Sequence, residues 1–385
     1  MQKDILIITN YFPPEKGAAA NRIFAMAKAY KQHGYKVSVV CPMPNYPYGK
    51  IFKNYNDKLE FKGIKIRRLW LYANNSKNKF LRLFSMLSFG LNLFLFLLFK
   101  STPNKVIVQC SPLFVGFFAV LISKLKCKTI ILNVSDLWPL AGFQMGILNK
   151  GYYYKLLERI ESFNYKSADL VLGQSEEILT HIKTTLPEKN LFLYRNLPDF
   201  KTPKPIQKRS SKDIKIVYAG LLGVAQGVAK ICQNIELPKN VFFDIYGDGP
   251  EAETINTVCK NNKQINLQGL VDRDKLHNVL MLYDYTLIPL TNRIYGSVPS
   301  KIFEYSKLGL PIIFFSEGEG NMLVQQYKLG FTLNDKDYKG LNTLLADLAK
   351  GRKSNLGHSN IAETAAEVFD FEAQFLKLLK ITKTL

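Results

Sequence analysis

At 385 residues, 47% of them hydrophobic and 22% charged, the chain is too long for one ordinary domain and too apolar to be disordered. Lys and Arg number 52 against 31 Asp and Glu, a formal charge of +21 that calls for an anionic partner: nucleic acid, a phospholipid surface or a phosphorylated substrate. The sequence carries no nucleic-acid-binding module, and its cysteines (Cys41, Cys110, Cys127, Cys232, Cys259) lie far apart without a Cys-x-x-Cys pair. That argues against nucleic acid, a disulfide framework and a zinc site, and it fits a reducing cytoplasm.

The first apolar run, Ile5–Thr9, predicts a strand, reached at once from the N-terminus with no signal-peptide cleavage site. A helical pattern follows over Asn21–His33, stopped by Gly34, and then a strand at Lys36–Cys41. Residues Leu83–Phe99 hold no charge and sit between Arg82 and Lys100. Three readings stay open for them: a buried or partly exposed helix, a helix docking on anionic lipid, or a short membrane span. Strands are further expected at Lys105–Gln109, Thr129–Asn133 and Asp169–Gly173, separated by helical stretches. That alternation is the signature of a parallel sheet covered on both faces.

Between Asn196 and Asp213 the composition turns to Pro, Lys and Ser, which marks a linker over 199–212. Strand and helix then alternate again, with strands expected at Lys215–Ala219, Val241–Tyr246, Gln264–Leu267, Tyr285–Leu290 and Pro311–Phe315 and a last helix over Ile361–Thr384. The fold class is therefore α/β: two Rossmann-like doubly wound domains, residues 1–198 and 213–360, facing across a cleft with ligands at the carboxyl ends of the strands.

Several turns carry candidate chemistry. Gly17 with Ala18–Ala20 gives a small-residue entry to a helix, where backbone N–H groups can meet phosphate, or forms an ordinary strand–helix turn. Gly220, Gly223 and Gly227 sit where a strand gives way to a helix and suit close backbone approach. Gly249 lies in a Gly-Asp-Gly-Pro-Glu turn that is equally a plain helix entry.

The densest cluster runs from Pro289 to Phe315. Arg293 and Lys301 can neutralise a diphosphate, Ser297 and Ser300 offer hydroxyls, and Glu304 lies in the first turns of a helix, placed to accept from ribose hydroxyls. Its plain alternative is an exposed helix carboxylate. Asp136, just past a strand, can bind or deprotonate an acceptor hydroxyl, or can form an Asx turn. The Asp272–Asp274 pair reads as a helix N-cap rather than a metal site, so no metal is expected.

Together these residues resemble glycosyltransferase family four, the retaining GT-B enzymes, and within it the branch building bacterial capsule, O-antigen and colanic acid, including fucosyl- and N-acetylfucosaminyltransferase-like proteins. The likeness spans nearly the whole chain and is carried by YFPPEKGAAANR, CPMPNYPYGK, SDLWP, AGLLGVAQG, YGDGPE and VPSKIFEYSKLGLPII. It implies that a nucleotide-sugar sits on the second domain, with Glu304 on the ribose and the Gly17 loop facing the donor. Asp136 would line the acceptor side, and the terminal helix (361–385) would cross back onto the first domain. Three positions depart from the pattern: Gly296 replaces the first acid of Glu-x7-Glu, and Leu221 and Gln226 replace the basic pair of the glycine turn, which leaves Arg293 and Lys301 as substitutes.

The expected function is transfer of a sugar from a nucleotide-sugar, UDP preferred, to an undecaprenyl-diphosphate-linked saccharide. The setting is the cytoplasmic side of an anionic inner membrane, with no cofactor and no nucleic acid. A sugar-nucleotide epimerase and a non-catalytic membrane scaffold are the alternatives.

Overall fold

The computed structural model describes residues 3–15, 17–46, 49–52, 61, 63–74, 78–203, 212–352 and 357–385. They fall into two compact units: Met1–Asn196 with Ile294–Ser297 and Phe371–Leu385, and Leu197–Arg293 with Val298–Asp370. The expected linker at 199–212 lies mostly outside the described residues.

Among the described residues the first unit has seven strands: β1 (Asp4–Ile8), β2 (Lys36–Pro42), β3 (Ile64–Leu69), β4 (Lys105–Gln109), β5 (Thr129–Val134), β6 (Leu170–Gly173) and β7 (Leu191–Leu193). All pair parallel, in the order β3-β2-β1-β4-β5-β6-β7. Its helices are α1 (Ala18–Gln32), α2 (Lys79–Phe99), α3 (Leu113–Leu125), α4 (Leu140–Gln144), α5 (Tyr152–Ser167) and α6 (Glu176–Thr185). Alternate residues of β1 feed two cores. Leu6 and Ile8 join Phe89, Leu93 and Leu97 of α2, whereas Ile5 and Ile7 join Ile23, Met26 and Tyr30 of α1. Burial on both faces makes these strands continuous apolar runs, which is why their sequences announce them.

The second unit repeats the plan with β8 (Ile214–Ala219), β9 (Val241–Tyr246), β10 (Ile265–Gly269), β11 (Tyr285–Pro289), β12 (Ile312–Phe315) and β13 (Gly330–Leu333), ordered β10-β9-β8-β11-β12-β13 and parallel throughout. The helices between them are α7 (Val228–Asn234), α8 (Ala252–Asn261), α9 (Arg273–Leu280), α10 (Lys301–Lys307) and α11 (Glu319–Gln326), and α12 (Tyr338–Ala349) and α13 (His358–Val368) follow. The switch points fall between β1 and β4 and between β8 and β11, where open α/β sheets take their ligands. Strands β3, β7 and β13 escaped the sequence reading. All three are sheet edges and only partly buried, so they lack a continuous apolar run.

The single helix expected over Ile361–Thr384 is two, α13 and α14 (Phe371–Thr384), broken at Phe369 and Asp370. The break has a packing cause. Phe369 sets its ring against Phe303 and Tyr327 (centroids 4.9 and 5.3 Å) in the second unit, while Phe375 packs on Tyr30 (4.9 Å) in the first. The two helices are thus anchored in different cores.

Candidate functional site

In the second unit, β8 ends at Ala219 and the chain turns at Gly220 with φ 156°, outside the range of ordinary side chains. Two tyrosines pin the turn: Tyr218 Oη donates to Leu221 O (2.6 Å) and Tyr305 Oη donates to Ala219 O (3.1 Å). Against it lies the amine of Lys301, the first residue of α10, over the Tyr218 ring at 4.6 Å from the centroid. A Cβ on Gly220 would collide with that amine, so a side chain there would displace the lysine. Lys301 makes no ion pair among the described residues. Burial pushes its amine down to about 8, against the upward pull of Glu304.

Glu304 follows one turn later on α10, and its Oε1 is 2.7 Å from Nε2 of His277 on α9. The imidazole stacks on Phe200 at 4.1 Å between ring centres. Burial raises the Glu304 pKa, but the His277 hydrogen bond and charge, then Arg273 and Lys301, outweigh it and leave the carboxyl below its usual range. Oε2 carries no protein hydrogen bond among the described residues. The result is an ionised carboxylate and an unpaired ammonium on one short helix beside a glycine turn. Such a set can take ribose hydroxyls and phosphate oxygens.

Gly249 has a different use. Gly247 and Gly249 (φ 151° and 152°) lie back to back with the Gly220 turn, joined by Leu222 N to Asp248 O (3.0 Å) and Glu251 N to Leu222 O (2.9 Å). A Cβ on Gly249 would stand 2.6 Å from Leu222 O. Loop-on-loop packing thus accounts for this glycine. Gly223 faces the side chain of Gln226, whose Oε1 is buried without a hydrogen-bond partner.

Ser300 precedes α10 but makes no capping bond. Arg293 is exposed and lies against Gly318 at the entry to α11. Asp272 holds the N-cap position of α9, yet its carboxylate pairs with Lys275 (3.6 Å) instead of capping. Among the described residues no three His, Cys, Asp or Glu side chains gather as metal ligands.

Ser297 groups with the first unit, and Lys301 and Glu304 with the second. Its stretch is tied there by Tyr295 N to Gln144 Oε1 (2.9 Å), Gly296 N to Glu177 Oε2 (2.7 Å) and Ser175 Oγ to Gly296 O (2.8 Å). Gly296 has φ 86°, and a Cβ there would meet Ile178 at 2.8 Å. The positive φ and that contact leave no easy room for a side chain at this position.

In the first unit Gly17 caps α1 at φ 153° with open space where a Cβ would stand. Asp136 follows β5 and reaches solvent. The surrounding protein raises its pKa, opposed by the charge of Arg22 and a hydrogen bond from Ser111. Arg22, absent from the sequence reading, is 4% exposed and organises this end of the sheet. It donates to Ser135 Oγ and Gln174 Oε1 (both 3.3 Å) and to Tyr194 O (2.6 Å), with Nε unpartnered. Burial lowers its pKa to about 10.

Residues 213–350 match the family described as Glycosyl transferases group 1. Sucrose-phosphate synthase from Thermosynechococcus elongatus has a similar structure, with a TM-score of 0.74, 12% identity and coverage of 99% of this chain and 98% of that one. So does HepE from Anabaena in complex with UDP, with a TM-score of 0.71, 13% identity and coverage of 99% and 100%. WaaG, a glycosyltransferase involved in lipopolysaccharide biosynthesis, aligns with a TM-score of 0.65, 11% identity and coverage of 98% and 99%. No curated sequence matches the chain significantly. The fold matches that of GT-B enzymes, and the family match falls almost entirely within the second unit.

Proposed function

We propose that the protein is a retaining glycosyltransferase that takes a sugar from a nucleoside-diphosphate donor, UDP preferred, and passes it to a lipid-linked saccharide of a bacterial surface polysaccharide. The observation that carries this reading is the unpaired Lys301 ammonium over the Gly220 turn, with the His277-held Glu304 carboxylate one turn on. Lys301 neutralises the diphosphate while Glu304 accepts from the ribose. UDP in the related HepE structure supports the choice of base.

In the reaction the acceptor hydroxyl attacks the anomeric carbon on the leaving-group side. The bond from that carbon to the phosphate oxygen breaks, its electron pair stays with the diphosphate, and a phosphate oxygen takes the hydroxyl proton, so configuration is retained. Asp136, ordered beside Arg22, positions the acceptor. Arg293 adds positive charge for the departing diphosphate.

No helix among the described residues is long and apolar enough to cross a membrane. Helix α2 nevertheless turns Phe84, Leu91, Leu95 and Phe99 outward, opposite the buried Phe89, Leu93 and Leu97. An outward apolar stripe on a chain of +21 suits peripheral docking on anionic lipid, where the acceptor resides.

Labelled UDP-sugars incubated with lipid-linked oligosaccharide test the proposal. Transfer is expected, and Lys301→Ala and Glu304→Ala should abolish most of it. Transfer at wild-type rate by both variants would overturn the assignment, and epimerised donor without acceptor would favour the epimerase. Unchanged sedimentation with anionic liposomes at low salt would rule out the membrane role.

A further inference from the structure

The first sheet carries a second charged feature where its strands begin, at the end opposite to the one Asp136 follows. Strands β3, β2, β1 and β4 are neighbours, and each brings a lysine to the end where it begins. Lys65 is the second residue of β3, Lys36 opens β2, Lys3 precedes β1 and Lys105 opens β4. Neighbouring strands lie only about 4.8 Å apart, so these side chains crowd along one edge. With Lys383 of α14 they line a cavity of about 870 Å³.

Register sharpens the picture. Asp4 pairs with Lys36 and Ser38 pairs with Lys65, so Lys36 and Lys65 project from the same face. Among the described residues Asp4 is the one carboxylate in the lining. Lys3, Lys36, Lys65 and Lys383 form no ion pair among the described residues, with Asp4 or with anything else. The amine of Lys105 is held by the carbonyl of Thr382. A further lysine, Lys128, reaches the rim through Thr102 O (3.0 Å). Ser38, Thr102 and Asn104 add hydroxyl and amide donors to the lining.

Like charges gathered around a single carboxylate repel one another, and a chain of +21 has little surplus acid to offer them. A ligand with several phosphate oxygens relieves that repulsion and uses the neighbouring donors. We propose that this cavity is a binding site for a phosphorylated anion bearing two or more negative charges, separate from the nucleotide site of the second unit. The phosphate can belong to a free ligand or to an anionic lipid headgroup.

The test uses the full chain carrying Lys301→Ala in every arm, so that a wrong reading of the nucleotide site leaves it intact. Inorganic tripolyphosphate is titrated by calorimetry, and phosphatidylglycerol vesicles are used in sedimentation, each with and without Lys36→Ala and Lys65→Ala. Saturable tripolyphosphate binding weakened at least tenfold by the pair supports the site with a free ligand. Vesicle binding that falls at least threefold with the pair, without tripolyphosphate binding, supports it with a lipid source. The charge-keeping pair Lys36→Arg and Lys65→Arg should restore either signal, and thermal unfolding verifies that each variant folds. No binding in either arm, or binding indifferent to the alanine pair, would overturn the proposal.

Discussion

His277 Nε2 stands 2.7 Å from Glu304 Oε1, and the imidazole is itself braced on the Phe200 ring. The contact fixes the carboxylate's rotamer and keeps it ionised, leaving its other oxygen for a ligand. A charge-assisted hydrogen bond contributes about 1.5–3 kcal/mol, so His277→Ala should weaken nucleotide binding roughly tenfold. His277→Gln, which can still donate, should recover part of that loss. The effect belongs in KM for the donor more than in kcat, which steady-state kinetics with varied donor will show.

Lys301 supplies the pH dependence. With its amine held near 8 by burial, the unliganded protein loses this charge as pH rises past that value. A bound diphosphate stabilises the protonated form, so donor affinity should be full below about pH 8 and fall above it. Lys301→Met should lose about 1.5–3 kcal/mol of binding and flatten the profile. Calorimetric titrations across roughly pH 6.5–9.5 make the comparison.

Gly220→Ala separates binding from folding. The new methyl group meets the Lys301 amine, the movable end of a flexible chain, while φ 156° adds strain. The expected loss of stability is about 1–3 kcal/mol, with donor binding reduced more than tenfold because Lys301 is displaced. Thermal unfolding and nucleotide titration read the two effects separately.

Glu161, 7% exposed on α5, sits against Tyr165, whose Oη donates to its Oε1 at 2.7 Å. Burial raises its pKa from 4.5 to about 8, so the folded chain holds a proton there that the unfolded chain releases. Its contribution to stability is therefore present below about pH 4.5 and is lost as pH rises toward 8. Glu161→Gln keeps an acceptor for Tyr165 and should be more stable than the parent at pH 8, with a flatter pH dependence in urea melts.

Local signals made the site's lysine and carboxylate legible. Val298-Pro299-Ser300 announces the start of α10, and a helix start fixes Lys301 and Glu304 within two turns of each other. The paired alternations of strand and helix revealed both sheets for the same reason. What escaped depends on contacts between distant parts of the chain. His277 lies 27 residues before Glu304 on another helix, and Arg22 meets its partners 113 to 172 residues away. Nor can a glycine in sequence say whether a ligand or another loop needs the room: Gly249 and Gly296 are explained by Leu222 and Ile178.

Calorimetric titration of UDP into the wild-type chain and into Lys301→Ala and Glu304→Ala addresses the donor site most directly. One saturable site is predicted, weakened at least tenfold by each substitution in variants that melt like the parent. Equal affinity in all three, or no UDP binding to the wild type, would contradict it.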